Sequence, residues 1–182
     1  MMRPRLSGRD RLIVGLLGFF VVIAFTLELY WLRHRATLVA DAETNLLARL
    51  FRVYGDCDRA YYDAVSPLAI GLEGINVYFT QALNLLLIWA IVRRRVWRYP
   101  LQLALGAYVA YSVLLYFVTA HVAGYPNMRV RGVYGFALFY GVNLPWLVAN
   151  LYLVRDATRA ITSPLSAEAR RRRPARADCA PS

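Results

Sequence analysis

Cysteine and histidine are scarce in this sequence. Its 182 residues include two cysteines, Cys57 and Cys179, and two histidines, too few for a disulfide framework or a zinc site. Lysine is absent, so arginine supplies all 22 basic residues against 11 acidic ones, which gives a net charge of +11. Gly-rich phosphate loops and nucleophile elbows are also missing. These absences argue against the soluble enzyme classes, and we expect no metal and no cofactor.

Apolar residues, in contrast, are abundant and occur in long runs. Hydrophobic residues make up 59% of the chain and charged residues only 18%. A membrane-spanning helix needs about 20 apolar residues, and four stretches are that long: Leu12–Leu32, Pro67–Val92, Leu101–Val122 and Gly132–Val154. The sequence therefore predicts an all-α integral membrane protein, a four-helix bundle over residues 12–160. A basic segment at 1–11 precedes it, and we expect a disordered Arg-rich tail at 161–182.

The arginines predict the orientation of the bundle, because basic residues in short loops stay on the cytoplasmic side. They precede the first helix, fill the loop between the second and third, and follow the fourth: Arg3, Arg5, Arg9, Arg11, Arg93 to Arg95, Arg98, Arg155, Arg159 and Arg170 to Arg173. We expect both termini to be cytoplasmic, in a bacterial cell membrane or a eukaryotic endoplasmic reticulum. The charge is thus topological, and we expect no nucleic-acid partner. For Arg170–Arg173, a solvated retention signal is favoured over binding to anionic lipids.

Two carboxylates, Glu28 and Glu73, lie within the predicted spans. A carboxylate at a helix centre costs about 2.5 to 3.5 kcal/mol on insertion scales, so such residues are functional by default. Both are expected in the outer half of the membrane, within about 10 Å of the interface. Desolvation and mutual repulsion disfavour two ionised carboxylates, so we expect at least one to donate a proton at neutral pH.

Uncharged polar residues recur at helical spacing in the other spans. In the second span the stripe runs from Glu73 through Asn76, Thr80 and Asn84. The third span has Tyr108, Ser112, Tyr116 and Thr119, followed by His121, and the fourth has Asn143, Trp146 and Asn150. All four helices can direct polar groups into one cavity. The alternative is hydrogen bonding between helices, which we favour for Thr80, Ser112 and Asn150 taken singly.

A neutral acid beside an apolar pocket can protonate an alkene. Trp146 and the tyrosines can stabilise the resulting carbocation by cation–π attraction. The second carboxylate can then remove a proton from a neighbouring carbon, which moves the double bond. The polar residues thus predict acid–base chemistry on a lipid.

Six motifs carry a family resemblance. They are LELYW around Glu28, YGDCDRAYY from Tyr54, LEGINVY around Glu73, YPLQLALG from Tyr99, LLYFVTAH from Leu114 and NLPWLV from Asn143. They resemble segments of the emopamil-binding protein family, the sterol Δ8–Δ7 isomerases, within the EXPERA superfamily that also includes the sigma-2 receptor. The resemblance covers about residues 26–160. It implies an intramolecular isomerase, similar to cholestenol delta-isomerase, that moves a carbon–carbon double bond through a carbocation.

The resemblance also implies roles for individual residues. Catalytic roles fall on Glu28, Glu73, Asn143 and Trp146, and substrate contacts on Asn76, Thr80, Tyr111, Tyr116, Thr119 and His121. Asp58, Arg59 and Tyr61 match a loop that is either a lid over the cavity or a solvated, salt-bridged loop. The isomerases have a histidine where this chain has Ala24, and acidic residues where it has Val113 and Ala120. Because of these differences, we expect the substrate to be either a sterol or another polycyclic lipid, such as a terpenoid.

Two alternatives stay open. A pocket that protonates an alkene can also start cyclisation or rearrangement of a terpenoid. The second alternative is a non-catalytic sterol- or lipid-binding membrane protein, which Ala24 favours and Glu73, Asn143 and Trp146 disfavour. In each case we expect a hydrophobic small molecule and the lipid bilayer as partners, and a homodimer is left open.

Overall fold

The computed structural model of this chain describes residues 6–172, with side chains as far as Pro164. Within these residues all regular structure is helical. Four helices are long and apolar enough to cross a membrane, as expected from the sequence. The predicted charges at Arg3, Arg5 and Arg170–Arg173, as well as Cys179, lie outside the residues whose side chains are described.

Residues 6–172 form six helices. The spanning helices are α1 (Gly8–His34), α4 (Pro67–Val92), α5 (Arg98–Val122) and α6 (Val133–Arg172). The short helices α2 (Leu38–Asp41) and α3 (Leu46–Tyr54) and a 3-10 turn (Arg59–Tyr61) lie between α1 and α4. The bounds of α4 coincide with the predicted span. Helix α6 continues to Arg172, beyond residue 160 at which we placed the end of the bundle.

Local sequence explains where these helices begin. Ser7 caps α1 by accepting a hydrogen bond from the backbone N–H of Asp10 at 3.1 Å. Ser66 caps α4 in the same way, and Pro67 occupies its first turn, where the missing N–H of proline costs nothing. Asn45 caps α3 through the N–H groups of the first turn. The starts of α1, α3 and α4 are therefore fixed by residues visible in the sequence.

The four long helices pack in two close pairs. Helix α5 runs along α6, and the first part of α1 packs against the second half of α4. Gly106 lets α5 approach α6 closely, because a Cβ there would lie 2.9 Å from the backbone oxygen of Asn150. Leucine, isoleucine and valine side chains from all four helices fill one half of the bundle: Ile13, Leu17, Leu87, Ile91, Leu105, Val109 and Leu153.

Ion pairs tie the helices together at the end of the bundle where α1 begins. Asp10 pairs with Arg98 at 2.7 Å, and Arg9 pairs with Asp156 at 3.1 Å. Gln102 also donates to Asp156 at 3.1 Å. Asp156 and Arg98 are buried, and a buried charge is tolerated only when it is paired. These contacts fix the relative positions of α1, α5 and α6.

Two spanning helices contain a π-helical turn. In α1 this turn is Ala24–Glu28, and in α4 it is Ile75–Thr80. The two turns contact each other. A π-helical turn has i→i+5 hydrogen bonds, contains one extra residue and occurs frequently at functional sites. Side chains that follow the turn are therefore rotated relative to a regular α-helix.

The loops at the far end are joined by hydrogen bonds and ion pairs. The backbone N–H of Arg59 donates to the carbonyl of Asn127 at 2.9 Å, and Asp63 pairs with both Arg59 and Arg129. Burial of Asp63 works against its ionisation, but the hydrogen bond from Arg59 and the charges of both arginines lower its pKa. This end of the bundle therefore holds the segment before α4 against the segment before α6.

Candidate functional site

Two adjacent cavities lie between the long helices. The central cavity, of about 100 Å³, lies among α1, α4, α5 and α6. The lateral cavity, of about 350 Å³, lies among α1, α3 and α6 and has an apolar wall that includes Leu50 and Val142. They share five lining residues: Glu28, Tyr61, Glu73, Asn143 and Trp146. The structure thus brings all four residues predicted to be catalytic to one place.

Glu28 lies at the end of the π-helical turn of α1. Its Oε2 accepts a hydrogen bond of 2.6 Å from the side-chain amide of Asn76. Asn76 belongs to the π-helical turn of α4, so the contact between the two turns positions this pair. A carboxylate that accepts from an amide N–H is stabilised in its ionised form.

Glu73 has a different environment. Its Oε1 accepts a hydrogen bond of 2.9 Å from the Tyr61 hydroxyl. Its Oε2 is buried and has no hydrogen-bond partner among the described residues. A buried oxygen without a partner is costly when charged, so this side of Glu73 favours a bound proton. The charges of Glu28 and Glu73 are close enough to interact.

Tyr61 is held in place by its neighbours. The indole N–H of Trp31 donates to the backbone oxygen of Tyr61 at 2.8 Å, and the Trp31 and Tyr54 rings lie 5.1 and 5.3 Å from the Tyr61 ring. Burial and the nearby Glu73 raise the pKa of Tyr61 well above its ordinary value. Tyr61 therefore remains a hydrogen-bond donor to Glu73 at physiological pH.

A second hydrogen-bond network lies beside Tyr61. Asp58 accepts from the Tyr116 hydroxyl and from the backbone N–H of Ala60. The Tyr54 hydroxyl lies 3.4 Å from that of Tyr116 and accepts from Asn143 at 3.2 Å. Burial raises the pKa of Asp58 and that of Tyr54. This network connects the loop to α5 and α6, so it fixes the wall of the central cavity.

The predicted loop residues thus divide between two roles. Asp58 and Tyr61 are buried, and Tyr61 lines both cavities, whereas Arg59 is exposed and paired with Asp63. The salt bridge expected for this loop is present at Arg59, while a lid over the cavity stays a prediction.

Trp146 supplies an aromatic surface to both cavities. Its ring stacks on that of Phe20, with centroids 4.1 Å apart and an angle of 18°. Asn143, one turn earlier on α6, donates to the backbone oxygen of Phe139 as well as to Tyr54. The Asn143 amide is therefore fixed, and the indole lies against a fixed partner.

The structure separates the six predicted substrate contacts. Asn76, Thr80 and Tyr116 line the central cavity. Thr119 lines a third cavity of about 270 Å³ under the loops. Tyr111 and His121 are exposed on α5 and line none of these three cavities, because the helical turn that directs Tyr108, Ser112 and Tyr116 inward carries them outward.

Gln81 is a site residue that the sequence pattern did not predict. It is fully buried, and its side-chain amide donates to the Asn76 oxygen at 3.2 Å. Regular α-helical spacing predicts that Thr80, four positions after Asn76, lies beside Asn76. The π-helical turn instead places Gln81, five positions after Asn76, in contact with it. The available signal was a further side-chain amide beside the polar stripe of this span.

Among the described residues, no group of three or more His, Cys, Asp and Glu side chains is arranged to hold a metal ion.

Comparison with known families adds to this geometry. The family model of EXPERA, the expanded EBP superfamily, matches residues 46–157, more than half of the chain. The chain belongs to the EXPERA family. The matched range includes Glu73, Asn143 and Trp146, while Glu28 precedes it.

Several EXPERA proteins are similar in sequence. The probable 3β-hydroxysteroid-Δ8,Δ7-isomerase of Arabidopsis thaliana is 30% identical over 108 residues, 59% of this chain and 48% of that protein. The protoglabretal synthase of Ailanthus altissima is 30% identical over 136 residues, 75% of this chain and 61% of that protein. The 3β-hydroxysteroid-Δ8,Δ7-isomerase of Mus musculus is 29% identical over 121 residues, 66% and 52% respectively. The chain spans about half the length of the curated relatives it matches.

Proposed function

We propose that this EXPERA protein is a membrane isomerase that moves a carbon–carbon double bond in a sterol- or terpenoid-like lipid without a cofactor. The observation that carries the proposal is the pair of carboxyl groups, Glu28 and Glu73, in the shared wall of two cavities between membrane helices. The volume of the lateral cavity is in the range of small-molecule sites. The isomerases among its relatives support the same reaction class.

In this mechanism Glu73 is the acid. A proton on its Oε2 is transferred to one alkene carbon, and the π electrons form the new C–H bond. The hydrogen bond from Tyr61 then stabilises the carboxylate that remains. A positive charge develops on the other alkene carbon, and the Trp146 ring stabilises it through cation–π attraction.

Glu28 is the base. It accepts a proton from a carbon adjacent to the cation, and the electrons of the broken C–H bond form the shifted double bond. The Asn76 amide holds Glu28 ready to accept, since an amide N–H stabilises the ionised form. After turnover Glu28 carries the proton and Glu73 is ionised, so a proton returns from Glu28 to Glu73 to complete the cycle. The reaction consumes nothing else.

A second outcome of the same proton donation is rearrangement or ring formation. The relative named protoglabretal synthase supports it, because that name denotes a product other than a Δ7-steroid. The fate of the cation depends on which atom reaches it first: a base, a migrating group or a second alkene.

Orientation and compartment belong to the same proposal. The arginine distribution supports cytoplasmic termini, which would place Glu28 and Glu73 nearer the opposite face of the membrane.

Heavy water distinguishes these possibilities. Membranes that contain the protein are incubated in it with a 3β-hydroxy-Δ8-steroid and with polycyclic terpenoids, and products are analysed by mass spectrometry. Deuterium beside a shifted double bond in an unchanged skeleton supports the isomerase, whereas deuterium in a new ring supports cyclisation. Binding without deuterium uptake would instead support a lipid-binding protein.

The first variant to test is Glu73→Gln. It keeps the shape of the side chain but removes the transferable proton, so turnover falls by roughly 10² to 10⁴, the usual contribution of a general acid. The matched control is Glu43→Gln, which changes an exposed loop glutamate paired with Arg52. Wild-type turnover in Glu73→Gln, with the protein folded in membranes, would rule out the two-carboxylate mechanism.

A further inference from the structure

Three side-chain amides on α4 form a continuous hydrogen-bonded chain that ends at Glu28. The Asn84 amide donates to the Gln81 oxygen at 2.8 Å, and the Gln81 amide donates to the Asn76 oxygen at 3.2 Å. Asn76 in turn donates to Glu28 at 2.6 Å. Gln81 and Asn84 are buried, so water does not compete for these groups.

The direction of this chain matters for Glu28. An asparagine can present either its oxygen or its NH2 group to a neighbour. Because Gln81 donates to the Asn76 oxygen, the Asn76 NH2 group is left to face Glu28. Reversing one amide alone would place two NH2 groups or two oxygens against each other, so the three orientations stabilise one another.

We propose that Gln81 and Asn84 are positioning residues that keep Glu28 ionised and ready to accept a proton. The inference rests on the proposed function, in which Glu28 is the base. Neither residue lines the central or lateral cavity, so both act through Asn76 rather than on the substrate. The π-helical turn of α4 makes this arrangement possible, because it sets Asn76 and Gln81, five residues apart, side by side.

Other groups also face Glu28 and affect its titration. The titratable side chains are Glu73 of α4, Tyr61 of the loop, Tyr54 of α3 and Tyr116 of α5. Helix α6 contributes two uncharged polar side chains, Asn143 and Trp146. None of them is changed in the variants below. A shift in these variants therefore reports the amide chain.

Infrared spectroscopy of the purified protein measures the protonation of Glu28 directly. The band of its protonated carboxyl is the one that disappears in Glu28→Gln, and its intensity is followed against pH. In Gln81→Leu the Asn76 oxygen loses its donor and the Asn76 amide is free to turn. We expect the midpoint of the band to move to higher pH by roughly one unit, a tenfold change in the protonation equilibrium.

A second variant tests the other link of the chain. Asn84→Leu has nearly the shape of asparagine, removes the donor to the Gln81 oxygen and adds no titratable group. The Gln81 amide is then free to turn, and the orientation of Asn76 towards Glu28 is no longer fixed. We expect the midpoint to rise here as well, and this change keeps the test available if Gln81→Leu fails to fold.

Gln102→Leu is the matched control. Gln102 is a fully buried glutamine on α5 that donates to Asp156 and to the backbone of Leu153, outside both cavities. Its replacement tests the general effect of losing a buried amide, and we expect no change in the midpoint. Unchanged midpoints in both Gln81→Leu and Asn84→Leu would overturn the inference.

Turnover separates this inference from the proposed function. If the wild type isomerises a lipid, we expect kcat of Gln81→Leu to fall while KM stays constant. The acidic limb of its kcat–pH profile should move together with the infrared midpoint. If the wild type takes up no deuterium with any lipid, the proposed function fails. The infrared midpoints still decide whether the amide chain controls Glu28.

Discussion

Removal of a single oxygen atom, in Tyr61→Phe, tests the acid role of Glu73. The Tyr61 hydroxyl donates to Glu73 over 2.9 Å, and this bond becomes charge-assisted once Glu73 has given up its proton. A hydrogen bond to a charged group contributes about 1.5 to 3 kcal/mol. Since about 1.36 kcal/mol corresponds to a tenfold change in rate, we expect kcat to fall about 10-fold to 150-fold.

The fold should tolerate this change. The Tyr61 ring stays packed between Trp31 and Tyr54, and the indole of Trp31 bonds to the Tyr61 backbone rather than to its hydroxyl. Tyr62→Phe is the matched control, because Tyr62 is the adjacent buried tyrosine and lines neither the central nor the lateral cavity.

The assay is deuterium uptake from heavy water into the lipid that the wild type converts, followed over single turnovers by mass spectrometry. We expect Tyr62→Phe to match the wild type and Tyr61→Phe to be slower at an unchanged substrate affinity. A Tyr61→Phe rate within about twofold of the wild type, far below the 10-fold lower limit of the expected loss, would refute the role given to this hydrogen bond.

Two further predictions concern the loop clamp and the aromatic wall. Because the pKa of Asp63 is lowered by Arg59 and Arg129, the stability it provides is present above about pH 4 and is lost as pH falls through the lower folded-state value. The melting temperature of Asp63→Asn should therefore lie about 2 °C below that of the wild type at pH 7, and the two should converge in acid; a constant difference would contradict the ion-pair explanation. Trp146→Leu should lose about 2 kcal/mol of cation–π stabilisation, a roughly 30-fold fall in kcat with substrate still bound. Trp89→Leu, an exposed tryptophan outside the cavities, is its control, and equal effects of the two changes would argue against a cation beside Trp146.

The spans were predictable because the bilayer imposes them locally. A helix must satisfy its own backbone hydrogen bonds in hydrocarbon, and about 20 apolar residues are needed to cross it. The run Pro67–Val92 therefore gave the bounds of α4 directly, with Ser66 and Pro67 marking its start. Glu28 and Glu73 were predictable as site residues for the same reason, since a carboxyl in a span needs a function or a partner.

Contacts on α4 and α5 were less predictable because they depend on the phase of each helix. A regular α-helix through α4 brings Thr80 onto the face of Asn76, but the π-helical turn places Gln81 in contact with it. On α5, Tyr111 is exposed although it belongs to the same aromatic-rich stretch as Tyr116. A shift of one residue in the phase of a helix is enough to move a side chain from the cavity wall to the exposed surface.

The helical class, the four spans and the two carboxyls within them could be read from the amino-acid sequence, because length, hydropathy and charge act within each segment. The pairing of Glu28 with Asn76 and of Glu73 with Tyr61 depends instead on the packed fold. Those contacts join residues 48 and 12 positions apart, so they depend on how α1, α4 and the loop pack. These different neighbours are the basis on which we propose different roles, acid and base, for two residues of the same type.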